Sequence, residues 1–134
     1  VKDLDFGRKV ITIRNAKGDK DRCVPLPQQT VSALEEQICK SRMYHERDLN
    51  TGFGTVSLPY ALGRKYPNAN REWGWKFVFP SYKLSTDPRT GRRQRHHVYE
   101  NYIQRALKEA VRLAGIHKPV HAHTFRHWFA THLL

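Results

Sequence analysis

The segment from Val98 to Ala114 constrains the fold more than any other. Val98, Tyr102, Ile103, Ala106, Leu107, Ala110, Val111 and Ala114 recur at three- and four-residue steps. On an α-helix that spacing gathers them into one apolar stripe. Gly115 follows as a C-cap, where left-handed backbone costs a glycine little. Pro119 stands in the next connection, and the spacing predicts a last helix from about Thr124.

The opening of the chain has a different period. Lys9 to Arg14 reads KVITIR, with β-branched and polar residues in alternation, and Arg22 to Leu26 reads RCVPL. The turn-forming NAKGDKD lies between them, which predicts a β-hairpin with a mobile basic loop. Pro25 makes the second strand short or an edge. Pro27 and Gln28 then lead into a helix with Val31, Leu34 and Ile38 at helical spacing, fading near Asn50. Residues 51–80 mix glycines with Tyr60, Tyr66, Trp73 and Trp75 and with Arg64, Lys65, Arg71 and Lys76. A short helix is expected there from Leu58 to Tyr66, then a strand or extended segment over WKFVFP. Tyr82 to Arg95 is polar, with TDPRTG as a turn and RRQR as a basic cluster. The fold class is therefore α+β, mainly α-helical, with a small antiparallel β-hairpin or sheet.

The 134 residues fit one domain or part of one, and 39% hydrophobic residues allow a modest core. No run of about 18 apolar residues exists to span a membrane, and no leader pattern opens the chain. The two cysteines, Cys23 and Cys39, show no metal-binding or disulfide spacing. A reduced, cytoplasmic setting is the expectation. Val1 stands where an initiator Met would, and Met43 is the lone methionine, which leads us to expect a piece of a longer protein. Lysine and arginine outnumber acids 24 to 12, for a net charge of +12 spread over the whole chain. A folded surface of that sign points to a polyanionic partner, most often nucleic acid.

The chain closes on HAHTFRHWFATHLL, His121 to Leu134. His123 and Arg126 are three apart and share a helical face. The unpaired N–H groups and positive dipole end of the first turn point the same way. A guanidinium can grip two phosphate oxygens at once, so this turn suits a phosphodiester. Other roles are open to the same residues: His123 or Thr124 as a helix cap, Arg126 in an ion pair, or His121, His123 and His127 around a metal.

HTFRHWFATHLL resembles the conserved box H-x-L-R-H-(S/T)-(F/C)-A-T-x-L of tyrosine recombinases, the phage integrase family. His123, Arg126, His127, Phe129, Ala130, Thr131 and Leu133 match it. AKGDKDRCVPLP resembles the family's hairpin G-K-G-x-K-x-R-x-V-P-L, with Ala16 replacing the first glycine. LPYALGRKYPNA with EWGWKFVFPS, and RHHVYENYIQRALKEAVRLAGI, are similar to segments that mark integron integrases. The resemblance covers nearly the whole chain. It implies that residues 1–134 are part of a recombinase catalytic domain, with 51–80 as the integron-type insertion.

The resemblance implies metal-free and cofactor-free strand exchange, in which a tyrosine attacks a DNA phosphodiester and forms a phosphotyrosyl link. Arg126 would bind the non-bridging oxygens with His123 beside it, and Lys17 in the hairpin loop would be the general acid for the leaving 5′-oxygen. Lys20 is the rival for that role and otherwise a DNA contact. The family's first arginine would precede Val1, and its last histidine or tryptophan and its tyrosine nucleophile would follow Leu134. Tyr44, Tyr60, Tyr66, Tyr82, Tyr99 and Tyr102 all precede the terminal box. These 134 residues alone are therefore expected not to cleave DNA. Phe125 stands where Leu is usual, and Trp128 replaces a small hydroxyl residue.

Integron integrases act on folded single-stranded sites marked by bases that bulge from a stem. Aromatic rings stack on such bases for about 1–3 kcal/mol each. Trp73, Trp75, His96 and His97 are the candidates, with Arg92, Arg93 and Arg95 for nearby phosphates. Core packing is the competing role for the two tryptophans, which on an extended segment would face opposite sides. The implied partners are duplex and folded single-stranded DNA, with the longer protein a tetramer on its sites. The competing functions are an ordinary phage-type recombinase, a non-catalytic DNA-binding module and the histidine metal site.

Overall fold

The alternating run from Val10 forms the centre of a small sheet in the computed structural model, which describes residues 1–16, 18–59 and 61–132. The chain divides into two units, 1–97 and 98–134. In the first, strands β1 (Leu4–Asp5), β2 (Val10–Ala16) and β3 (Lys20–Pro25) pair antiparallel in the order β1-β2-β3. Ile11 lies opposite both Leu4 and Val24, and Thr12 opposite Cys23. The sheet thus gains a strand over the hairpin expected, and Pro25 does end an edge strand.

Between Ile13 and Ala16 the register shifts, and Asn15 takes a positive φ of 48° there. The Asn15 N–H donates to Asp21 Oδ1 at 3.0 Å. Arg14 spans the sheet, donating from Nε to Asp3 at 2.7 Å and from Nη1 to Asp21 at 3.0 Å. These groups are solvent-exposed, so the pairs contribute about 0–1 kcal/mol each and mainly hold register. The Asp19 N–H donates to Ala16 O at 2.8 Å and closes the loop. Lys17, in that loop, lies outside the described residues.

Helix α1 (Val31–Asn50) starts and ends as the sequence period requires. Its inward face begins apolar at Val31, Leu34 and Ile38, then turns polar at Ser41, His45 and Asp48. Ser41 and Asp48 are buried. The polar half has work to do against bare backbone. Gln37 donates to Val78 O at 2.9 Å and Ser41 to Phe77 O at 2.7 Å. Asp48 receives both Nε and Nη2 of Arg95, at 2.6 and 2.8 Å, in a bidentate ion pair. Arg95 Nη1 donates to Ser81 O at 2.7 Å, and its guanidinium lies 4.6 Å from the Tyr44 ring centre. Leu49 packs so close to Gly54 that a Cβ there would sit 2.5 Å from a leucine methyl carbon.

The segment 51–80 departs from expectation. Its short helix α2 shrinks to Leu62–Lys65, and Tyr60 lies outside the described residues. Trp73–Trp75 form a single 3-10 turn, not an extended strand. The reason is local backbone closure: Trp75 N–H bonds to Glu72 O and Lys76 N–H to Trp73 O. Lys76 Nζ then donates to Gly54 O at 2.7 Å and Asn70 O at 2.8 Å, tying the two sides of the segment together. Past it, WKFVFP makes only an isolated bridge, Pro80 to His97. Tyr82 to Arg95, read as polar turn and basic cluster, folds into a hairpin of β4 (Ser85–Thr86) and β5 (Arg93–Gln94).

The second unit holds α3 (Glu100–Leu113) and α4 (Ala122–His132). Gly115 takes φ 64°, with its N–H on Arg112 O and that of Ile116 on Val111 O, a Schellman-type ending at the expected glycine. In the α3 stripe Leu107 and Val111 are half-buried, and Tyr102 and Ile103 are exposed. Helix α4 begins two residues ahead of Thr124 because Thr124 accepts from His121 N–H at 3.0 Å and returns its own N–H to His121 O at 2.9 Å. Among the described residues no helix is long and apolar enough to cross a membrane. Among the described residues the architecture is α+β, with four α-helices and small antiparallel sheets.

Asp48→Ala strands a buried guanidinium and should cost about 3–5 kcal/mol, read as a lowered urea midpoint; pairing Asp48→Leu with Arg95→Met should cost less. Burial holds the Lys76 ammonium down to about 8 from 10.5. Across that window the unfolded chain binds the proton and the folded chain does not, so this group's contribution to stability rises with pH. Unfolding of the chain and of Lys76→Met, compared from about pH 8 to about pH 10, should shift in favour of the unsubstituted chain. A constant difference would contradict the assignment.

Candidate nucleic-acid interface

Two surfaces carry the residues singled out by sequence, one in each unit. On the second unit, His123 and Arg126 lie in the first turns of α4 and are exposed. The local hydrogen bonds make Thr124 the capping side chain, which leaves His123 outside that role. Among the described residues no carboxylate pairs with Arg126. The helix start therefore offers an imidazole and a guanidinium on one face beside unpaired backbone N–H groups. A groove of about 510 Å³ runs alongside, walled by Ile103 and Leu107 of α3 and by Val120, His121 and His123. Trp128 stacks on His132 at 4.3 Å and is exposed, as is Phe125. Among the described residues no three His, Cys, Asp or Glu side chains are grouped to hold a metal ion.

On the first unit, Lys20 opens β3 and is exposed, while Arg92 and Arg93 are exposed on the β4–β5 hairpin. Arg93 lies over the Phe53 ring at 5.5 Å. Arg95 corrects the sequence reading. It is 8% exposed and its guanidinium is consumed by Asp48 and Ser81. Its role is structural, because a buried arginine needs a carboxylate partner and α1 supplies one. His96 is half-buried and accepts Ser81 N–H through its carbonyl at 2.6 Å. His97 is exposed, with its ring edge against Phe77 at 5.3 Å.

The two tryptophans are each half-buried and each engaged. Trp73 stacks on His45 at 5.5 Å, and Trp75 carries Lys2 Nζ 3.7 Å above its ring. Expecting one inside and one outside assumed extended backbone, which the 3-10 turn replaces. His45 Nδ1 is buried without a hydrogen-bond partner among the described residues. Burial, and then the Lys76 charge, hold this imidazole below the ordinary histidine value.

Sequence reasoning missed Asp48, His45 and Lys76. The first two could have been found, since they continue the Val31, Leu34, Ile38 period into positions that must be buried. A carboxylate on a buried stripe demands a buried cation.

The chain thus combines a mixed α+β build, a net charge of +12 and an exposed His–Arg pair at the opening of α4. The comparisons are specific: the phage integrase family profile matches residues 1–134, and the chain belongs to that family. It is 48% identical over 134 residues to an integrase/recombinase of Escherichia coli, covering 100% of this chain and 40% of that relative. An integrase/recombinase of Pseudomonas aeruginosa matches to the same degree. The tyrosine recombinase XerA of Pyrococcus furiosus is 30% identical over 134 residues, covering 33% of its length. The chain thus spans about 40% of the length of the curated relatives it matches best among these.

Tryptophan fluorescence can check the stacked pair. An imidazolium against an indole quenches its emission, so acidification should show a component with its midpoint below 6.5, the ordinary histidine value. That component should vanish in His45→Phe, while any contribution from Trp128 and His132 persists. A midpoint at or above the ordinary value would contradict a half-buried His45 held neutral by its surroundings.

Proposed function

We propose that this chain is part of the catalytic domain of an integron-type tyrosine recombinase, and that the full-length protein performs site-specific DNA recombination by metal-free phosphotyrosyl strand transfer. The observation that carries the reading is the opening of α4, where His123 and Arg126 are exposed on one face in a chain of net charge +12. Arg126 binds the non-bridging oxygens of the scissile phosphate and stabilises the charge that builds there. His123 hydrogen-bonds the same group and can carry a proton. Lys17 protonates the departing 5′-oxygen, with Lys20 holding an adjacent phosphate. The nucleophile is a tyrosine of the full-length protein outside these 134 residues.

The integron type is supported by the 51–80 segment, whose tryptophans, glycines and basic residues resemble the insertion of that group. Extruded bases of folded single strands are received by His97, with His96 and Trp73 as further stacking candidates, and Arg92 and Arg93 take nearby phosphates. The partners are duplex and folded single-stranded DNA in the cytoplasm, handled by a tetramer.

Full-length protein carrying Arg126→Ala should lose about 10²–10³-fold in covalent adduct formation on a nicked suicide substrate. Retained activity would remove Arg126 from the mechanism. Duplex binding by the full-length protein, with roughly 6–10 phosphate contacts, should fall about 10³–10⁵-fold between 50 and 200 mM salt. His97→Ala should impair folded single-stranded sites more than duplex sites, and equal losses would argue for an ordinary phage-type recombinase.

A further inference from the structure

The β4–β5 hairpin is built around one buried carboxylate that the proposed chemistry does not use. Asp87 is 3% exposed and Gln94, opposite Ser85, is 2% exposed. Asp87 Oδ1 accepts the Arg89 N–H at 2.8 Å. Its Oδ2 accepts the Ser57 hydroxyl and, at 2.9 Å, the Gln94 amide. Gln94 also donates to Ser57 Oγ at 2.7 Å, closing a three-membered network. Asp87 further sets the backbone of the turn, since its N–H donates to Arg92 O at 2.9 Å and its carbonyl accepts from Gly91 at 2.8 Å. One residue therefore fixes both ends of the TDPRTGR loop and ties it to Ser57 in the 51–80 segment.

What the hairpin displays is cationic: Arg89, Arg92 and Arg93 are all exposed. Three mobile guanidiniums would bring positive charge to DNA, but ordering them on contact costs entropy. A turn already locked by a buried carboxylate lowers that cost. We propose that Asp87, with Ser57 and Gln94, is a positioning residue for nucleic-acid contact, holding the hairpin so that Arg92 and Arg93 meet successive phosphates. This rests on the DNA-binding reading above and adds to it the element that sets the geometry.

The sign of one substitution separates positioning from charge. Asp87→Asn removes a negative charge from a chain already at +12, so long-range electrostatics alone would tighten DNA binding. A positioning role weakens it instead. Binding of labelled duplex DNA to this chain is followed by fluorescence anisotropy from 50 to 200 mM salt, with near-ultraviolet circular dichroism to verify folding. The double variant Arg92→Ala/Arg93→Ala should bind about tenfold more weakly, with a salt slope shallower by about one to two units. Asp87→Asn should weaken binding several-fold in the folded protein. It should have no further effect in the Arg92→Ala/Arg93→Ala background. Ser57→Ala, which removes a single hydroxyl, should show a smaller loss of the same kind and decides the matter if Asp87→Asn does not fold. Unchanged or tighter binding by the folded Asp87→Asn protein, or by Ser57→Ala in its place, overturns the positioning role. Unaltered binding by the double arginine variant overturns the premise that this hairpin touches DNA.

Discussion

The pairing of Arg95 with Asp48 is the contact on which the first unit depends. It is a bidentate ion pair with both side chains almost wholly buried. It joins the last turns of α1 to the strand end that follows β5, and through Ser81 O it also holds the start of the hairpin segment. Little apolar material is available to do this, since Leu26, Val56 and Ala69 are the buried hydrophobic residues among those described. Specific polar links stand in where a larger core would otherwise fix the packing. Such a pair contributes modestly to net stability but strongly penalises any arrangement that separates its partners.

The same economy recurs nearby. Lys76 satisfies two carbonyls from distant parts of the 51–80 segment, and Ser41 and Gln37 satisfy two more on the extended chain that follows. Irregular backbone is stable in a partly buried place only when its polar groups find partners. A segment rich in glycine and aromatic residues thereby takes a defined shape with little regular structure. Its two tryptophans end half-buried, each with a cationic or imidazole neighbour. Among the cationic side chains left at the surface, Lys20, Arg92 and Arg93 in the first unit and Arg126 in the second suit the polyanionic partner proposed for them.

Elements with a strong period were legible from the residues. The α3 stripe, the Gly115 ending, the length of α1 and the β2–β3 hairpin follow from spacing and turn chemistry, all of which are local. Membership of the phage integrase family was legible too, because the terminal box and the hairpin motif are read directly as strings. The burial of Arg95 was not. In RRQR it looks like its neighbours, and what distinguishes it is a carboxylate on α1, far away in sequence. The 3-10 turn at Trp73–Trp75 was equally hidden, since two tryptophans around a glycine suit a strand or a turn alike.

The sequence by itself determined the class of this protein, the order of its main elements and the His123–Arg126 pair at the head of α4. Each rests on interactions within a few residues, or on a motif that folding need not reveal. Tertiary structure decided which cations are free to meet a ligand and which are spent on the fold. That choice depends on what lies across a buried contact, where a lone charge in low dielectric must find its opposite. Arg92 and Arg93 stayed at the surface, while Arg95, two residues on, turned inward because Asp48 was waiting there.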